Sequence, residues 1–134
     1  MTPSRNVTTT AHGFADYTIG TLLVIGPWLF GFQDHSLATM VTVGFGLTMI
    51  AYSLATDYEL TVRRVIPLPA HLAFDAVSSG LLIASPFLFG FAERTWIPHL
   101  VVGSVAAGLA VLTAFALGVE HLLSRPRRRR RLAH

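Results

Sequence analysis

Four long apolar runs alternate with short polar stretches along this chain: about Phe14 to Phe32, Leu37 to Thr56, His71 to Phe91 and Trp96 to Val119. At 1.5 Å of rise per residue, about 20 helical residues span the ~30 Å hydrocarbon layer of a bilayer. Each run therefore predicts a transmembrane helix. The links Gln33–Ser36 and Glu93–Thr95 are too short to do anything but return the next helix beside the one before it. The pattern predicts an all-α fold of four transmembrane helices in two tandem hairpins. It divides the chain into a loose polar arm (1–11), a first two-helix unit (12–60), a connector (61–70), a second two-helix unit (71–121) and an arginine-rich tail (122–134).

The first and third runs end alike. Gly26-Pro27-Trp28-Leu29-Phe30-Gly31-Phe32 returns as Ser85-Pro86-Phe87-Leu88-Phe89-Gly90-Phe91, 59 residues later. The same offset carries His12 onto His71, Asp16 onto Asp75 and Gly44 onto Gly103. One unit of about 59 residues is read as used twice. Proline removes a backbone donor and clashes one turn back, so a kink or an early end is expected near Leu23 to Gly26. Ser85 is placed to satisfy the carbonyl that Pro86 frees. Gly31 and Gly90 suit a tight turn, and the motif aromatics suit a membrane-interface belt. Small residues four apart, Gly44 with Thr48, Gly103 with Ala107 and Ser104 with Gly108, are expected to let neighbouring helices approach closely.

Composition agrees with a lipid-solvated body. Over half of the 134 residues are hydrophobic, mean hydropathy is +0.57, and 13% are charged, too few to cover a soluble domain of this size. The apolar run after the polar start is too long for a signal-peptide core, so the N-terminus is expected to be retained. All ten basic residues are arginines. Arg5, Arg63, Arg64 and the six within Arg125–Arg131 fall on one side of a four-span topology, with Arg94 alone on the other. The positive-inside rule then puts both termini and the central connector in the cytoplasm and turns the proline–aromatic motifs outward; the expected location is the inner (plasma) membrane. Two hairpins inserted in the same sense should be related by a pseudo-two-fold along the membrane normal.

With an aspartate eleven residues before each proline (Asp16 to Pro27, Asp75 to Pro86), the duplicated motif resembles the SPW-repeat family of small bacterial and archaeal membrane proteins. The resemblance covers about residues 12–119. It implies a two-span repeat in an integral membrane protein and brings no catalytic or ligand residues with it.

The most chemical feature is His12-x-x-x-Asp16, repeated as His71-x-x-x-Asp75. A spacing of four puts each pair on one helix face. If the first and third helices adjoin, the four side chains converge, a set able to pass protons or bind a divalent cation. The preferred reading is structural: helix capping, or pairing with Arg63, Arg64 or a tail arginine. His35, His99 and Trp96 are expected to be solvated at the outer face, and Asp34 and Glu93 to be loop charges. With no cysteine, disulfides and thiolate chemistry are excluded. Nucleotide-binding loops, HExxH and GxSxG are absent. No enzyme activity, cofactor, metal or nucleic-acid partner is expected. The Arg125–Arg131 run should contact anionic lipid headgroups. The function read from the sequence is a non-enzymatic structural or accessory membrane component, alone, as a homo-oligomer or in a larger complex. The alternative is a small proton or cation transporter using the duplicated His/Asp faces.

Overall fold

The computed structural model describes residues 3–124, with side chains over 6–123. The polypeptide is all-α: α1 (Pro3–Leu29), α2 (Ser36–Leu54), α3 (Leu68–Leu88) and α4 (Ile97–Ser124). Among the described residues there is no strand, only one isolated parallel bridge between Thr56 and Ile66 in the connector, which spans 55–67 between α2 and α3 rather than the expected 61–70. α1 packs chiefly on α2 and α3 on α4, so the helices form two hairpins. The hairpins meet more closely through α1 and α4 than through α2 and α3. Between α2 and α3 lies an apolar groove of about 500 Å³, lined by Phe45, Phe74, Leu81 and Phe89 among others. Three helices, α2, α3 and α4, are long and apolar enough to cross a membrane. α1 is 27 residues long but carries three threonines, His12 and Asp16 in its first half, and it is not one of the three.

The expected loose arm is helix from Pro3 onward. A proline is pre-organised for the first helical turn, where its missing N–H costs nothing. The early turns are then held from outside. The Thr9 hydroxyl donates to the Glu59 carboxylate at 2.6 Å, and the Tyr17 hydroxyl donates to the Leu60 carbonyl at 2.9 Å. The connector thus folds back over the start of α1 and brings Tyr58 inside, 3% exposed.

Neither α1 nor α3 stops before its proline. Both continue two residues beyond it, to Leu29 and Leu88. They close identically. Gly31 and Gly90 adopt φ of +73° and +70°. The Phe32 N–H reaches back to the Pro27 carbonyl at 2.9 Å, and the Phe91 N–H to the Pro86 carbonyl at 2.8 Å. This is the six-to-one hydrogen bond of a Schellman cap, with glycine at its left-handed position and an apolar residue following. The proline–aromatic motif is therefore a helix terminator. Its last phenylalanines, Phe32 and Phe91, turn inward and pack with Ala38, whereas Trp28, Phe30, Phe87 and Phe89 stay exposed on the apolar rim. The Ser85 hydroxyl donates to Leu82 O at 2.7 Å, the carbonyl that Pro86 leaves without a helical donor.

The buried stripes of α1 and α3 coincide at the 59-residue offset: His12/His71, Asp16/Asp75, Gly20/Ser79, Leu23/Leu82, Gly26/Ser85 and Pro27/Pro86. Below the motif end, Ile19, Leu23, Met49, Leu82, Val102 and Ala106 form the apolar core. The close helix approaches differ in part from those expected. Gly103 does lie against Ile83 and the Ser79 carbonyl, but in the first hairpin the crossing uses Gly46 on Gly20, while Gly44 and Gly108 face open space. A Cβ at position 46 would fall 2.6 Å from the Gly20 carbonyl oxygen. Gly46→Ala is therefore expected to lower stability by about 1–3 kcal/mol in detergent unfolding. Gly44→Ala should be neutral or slightly stabilising, because alanine is the better helix former and nothing lies within 4 Å.

Candidate functional site

About 16 Å along α1 from Pro27, eleven residues at 1.5 Å each, the two halves of the chain meet in a polar layer. His12, Asp16, His71 and Asp75 converge there, at 3%, 2%, 0% and 1% exposure. The shortest pairings are crossed. His12 Nε2 lies 2.9 Å from Asp75 Oδ2, and His71 Nε2 lies 2.9 Å from Asp16 Oδ2. The pairs four residues apart on one helix are longer, 3.6 Å for His12–Asp16 and 3.2 Å for His71–Asp75. Each histidine thus reaches the aspartate of the other hairpin before its own. The two imidazoles stand edge to face, with centroids 5.4 Å apart.

The outer nitrogens follow the same crossing. His71 Nδ1 meets Thr56 Oγ1 at 2.7 Å, and His12 Nδ1 meets Thr113 Oγ1 at 3.0 Å. Thr56 gives its only hydroxyl hydrogen to the Tyr52 carbonyl at 2.7 Å, so its oxygen must accept from His71 Nδ1–H. Nε2 of His71 then faces Asp16 with the remaining chemistry of the ring. Asp75 has a further donor, the Tyr52 hydroxyl, at 2.5 Å from Oδ1. The rings of Tyr52 and Tyr58 stand edge-on to His71 at 5.1 and 5.5 Å, and Gly13 leaves the room Tyr58 needs.

Capping does not describe these carboxylates. Asp16 lies in the fourth turn of α1 and Asp75 in the third turn of α3, beyond the orphan N–H groups of either start. Nor do Arg63 and Arg64 reach them: Arg64 pairs with Asp57 at 3.3 Å on the exposed connector. The arginine run 125–131 lies outside the described residues.

At the motif end, His99 is buried rather than solvated, 1% exposed. Thr42 donates to the Ala38 carbonyl at 2.7 Å, so the 2.9 Å contact with His99 Nε2 is donated by the ring. The imidazole is flanked by Phe32 and Phe91, with centroids at 5.7 and 5.1 Å. His35 caps α2, its Nδ1 accepting from Ala38 N–H at 3.3 Å. Trp96 is exposed, as are Asp34 and Glu93.

Sequence reasoning missed Tyr52, Thr56 and Thr113. The two threonines play matching parts, yet they stand 57 residues apart, off the offset that exposed the other matches. Thr56 lies just past the end of α2, whereas Thr113 lies inside α4. A search for hydroxyl residues toward the C-terminal sides of α2 and α4, tolerant of small shifts, would have found them.

Hairpins of apolar helices closed on a buried polar layer define a small helical membrane protein. A family model for the SPW repeat domain matches residues 10–113, and the chain belongs to that family. Curated proteins and solved structures give no significant match.

Removing one partner of a buried ion pair strands the other in a low-dielectric site, at roughly 3–5 kcal/mol. Asp75→Asn, which weakens the acceptor shared by His12 and Tyr52, is expected to fall in that range in detergent unfolding. Thr56→Val should cost about 1–3 kcal/mol. Asp57→Asn breaks only the exposed pair with Arg64 and should cost less than about 1 kcal/mol.

Proposed function

We propose that this chain is a non-enzymatic structural or accessory component of the inner (plasma) membrane, built from one hairpin unit used twice about a pseudo-two-fold along the membrane normal. The observation that carries the reading is the crossed His–Asp pairing. It spends the most reactive side chains of the body on one another, between hairpins, at the place where a transporter would need them open to water. Lipid gives little hydrophobic drive for helix association, so close small-residue crossings hold each hairpin together and buried polar contacts fasten one hairpin to the other. In this reading both termini are cytoplasmic, and the Arg125–Arg131 run touches anionic headgroups. The unit works alone, as a homo-oligomer or within a larger membrane complex.

A second reading, a small proton or cation transporter, draws support from the convergence of four ionisable side chains among apolar helices, where such residues commonly mark ion paths. One experiment separates the two. In proteoliposomes, Asp16→Asn and Asp75→Asn are expected to lower the thermal stability of the protein and leave proton and cation flux at the background of empty vesicles. A wild-type flux above background that these variants abolish while folded would overturn the structural role.

The orientation has its own test. The chain has no cysteine, so single cysteines report cleanly. A membrane-impermeant maleimide applied to spheroplasts should label Gln33→Cys and leave Thr61→Cys unlabelled until the membrane is opened. The reverse pattern would invert the topology.

A further inference from the structure

The four side chains of the polar layer have the arrangement of a metal site. Each offers one ligand atom, and all four atoms lie within 4.8 Å of one another. The four nitrogen–oxygen edges between histidines and aspartates use one atom per residue, Nε2 or Oδ2, and measure 2.9, 3.6, 2.9 and 3.2 Å. A tetrahedral zinc ion with bonds of about 2.0–2.1 Å requires ligand–ligand edges of roughly 3.3–3.4 Å. The polygon already present brackets that value, and small rotations of the side chains would make it regular.

The geometry points to a mononuclear site for a divalent transition ion of the zinc class, held by His12, His71, Asp16 and Asp75. The inference rests on the closed, non-enzymatic cluster proposed above and names what that cluster takes up. Three further features agree with it. Imidazole with carboxylate suits zinc and its first-row neighbours, whereas magnesium and calcium prefer all-oxygen shells. Two carboxylates with two neutral imidazoles balance the charge of a dication, which matters in a site sealed from water. The ring atoms that would not bind the ion are already engaged: Nδ1 of His71 on Thr56, and Nδ1 of His12 on Thr113. Hydrogen bonds of this kind fix ring orientation and leave Nε2 for the metal. The Tyr52 hydroxyl likewise engages Oδ1 of Asp75 and leaves Oδ2 facing the centre. Four protein ligands complete the shell of a structural site, with no position open to substrate.

The test uses the full-length protein in mild detergent, stripped with a chelator and then loaded separately with Zn²⁺ and Co²⁺. Expected are about one ion per chain after desalting and, for cobalt, the intense visible absorption of a four-coordinate centre. Asp16→Asn/Asp75→Asn, with helicity and elution volume confirmed, should lose the ion. Thr56→Val keeps all four ligands and should weaken binding by about 10–100-fold. Failure of the wild-type protein to retain either ion would overturn the proposal, as would a six-coordinate cobalt spectrum or an ion retained by the folded double variant. Should the double variant not fold, X-ray absorption on the zinc-loaded wild type decides, two imidazoles and two oxygens supporting the site and any other shell refuting it. A wild type that binds no ion while Asp75→Asn still destabilises it would refute the metal site and leave the structural reading standing.

Discussion

The structure depends on a reciprocal exchange of polar partners between two hairpins. A protein solvated by lipid gains little by pressing leucine against leucine, since acyl chains offer leucine the same contact. What lipid cannot offer is a partner for a carboxylate. His12 therefore seeks Asp75, and His71 seeks Asp16, each at 2.9 Å and each across the boundary between hairpins. The apolar groove between α2 and α3 shows how little else holds that side together. The polar layer ties α1 to the diagonal α3 through side chains, and the apolar core of Ile19, Leu23, Met49, Leu82, Val102 and Ala106 packs beside it.

The proline–aromatic motif serves the same arrangement from the other end. Its conformational content is the left-handed glycine, Gly31 or Gly90, which ends the helix and aims the next phenylalanine inward. Phe32 and Phe91 then meet around His99, a second buried polar residue anchored to Thr42. Each of α1 and α3 thus carries a polar attachment ending eleven residues before its proline and an aromatic one at its end, with the apolar core between.

Much of this was legible in the sequence. Run length and short polar links gave four helices in two hairpins, and the 59-residue offset singled out His12, Asp16, His71 and Asp75 together. The Ser85 hydroxyl and the carbonyl freed by Pro86 could be paired from local chemistry alone. Other features were not legible, for physical reasons. A spacing of four makes His12 and Asp16 look like partners on one helix, and only the reach of these side chains across the bundle, from α1 to the diagonal α3, shows that the crossed pairs are shorter. The polar stretch 1–11 has no apolar period, so the helix from Pro3 onward, held by Glu59 and Leu60 in the connector, was invisible. His99 looked like a surface residue because the two phenylalanines that flank it arrive from distant turns.

Thr56 and Tyr58 belong to the segment that joins the hairpins, yet one holds the ring of His71 and the other stands against it. The joint is therefore no passive tether. A second copy of either hairpin, supplied as a separate chain, would bring the histidine and the aspartate but not this covering strap. The order of the hairpins along the polypeptide is thus written into the interior of the molecule, and exchanging them would leave one imidazole differently housed from the other.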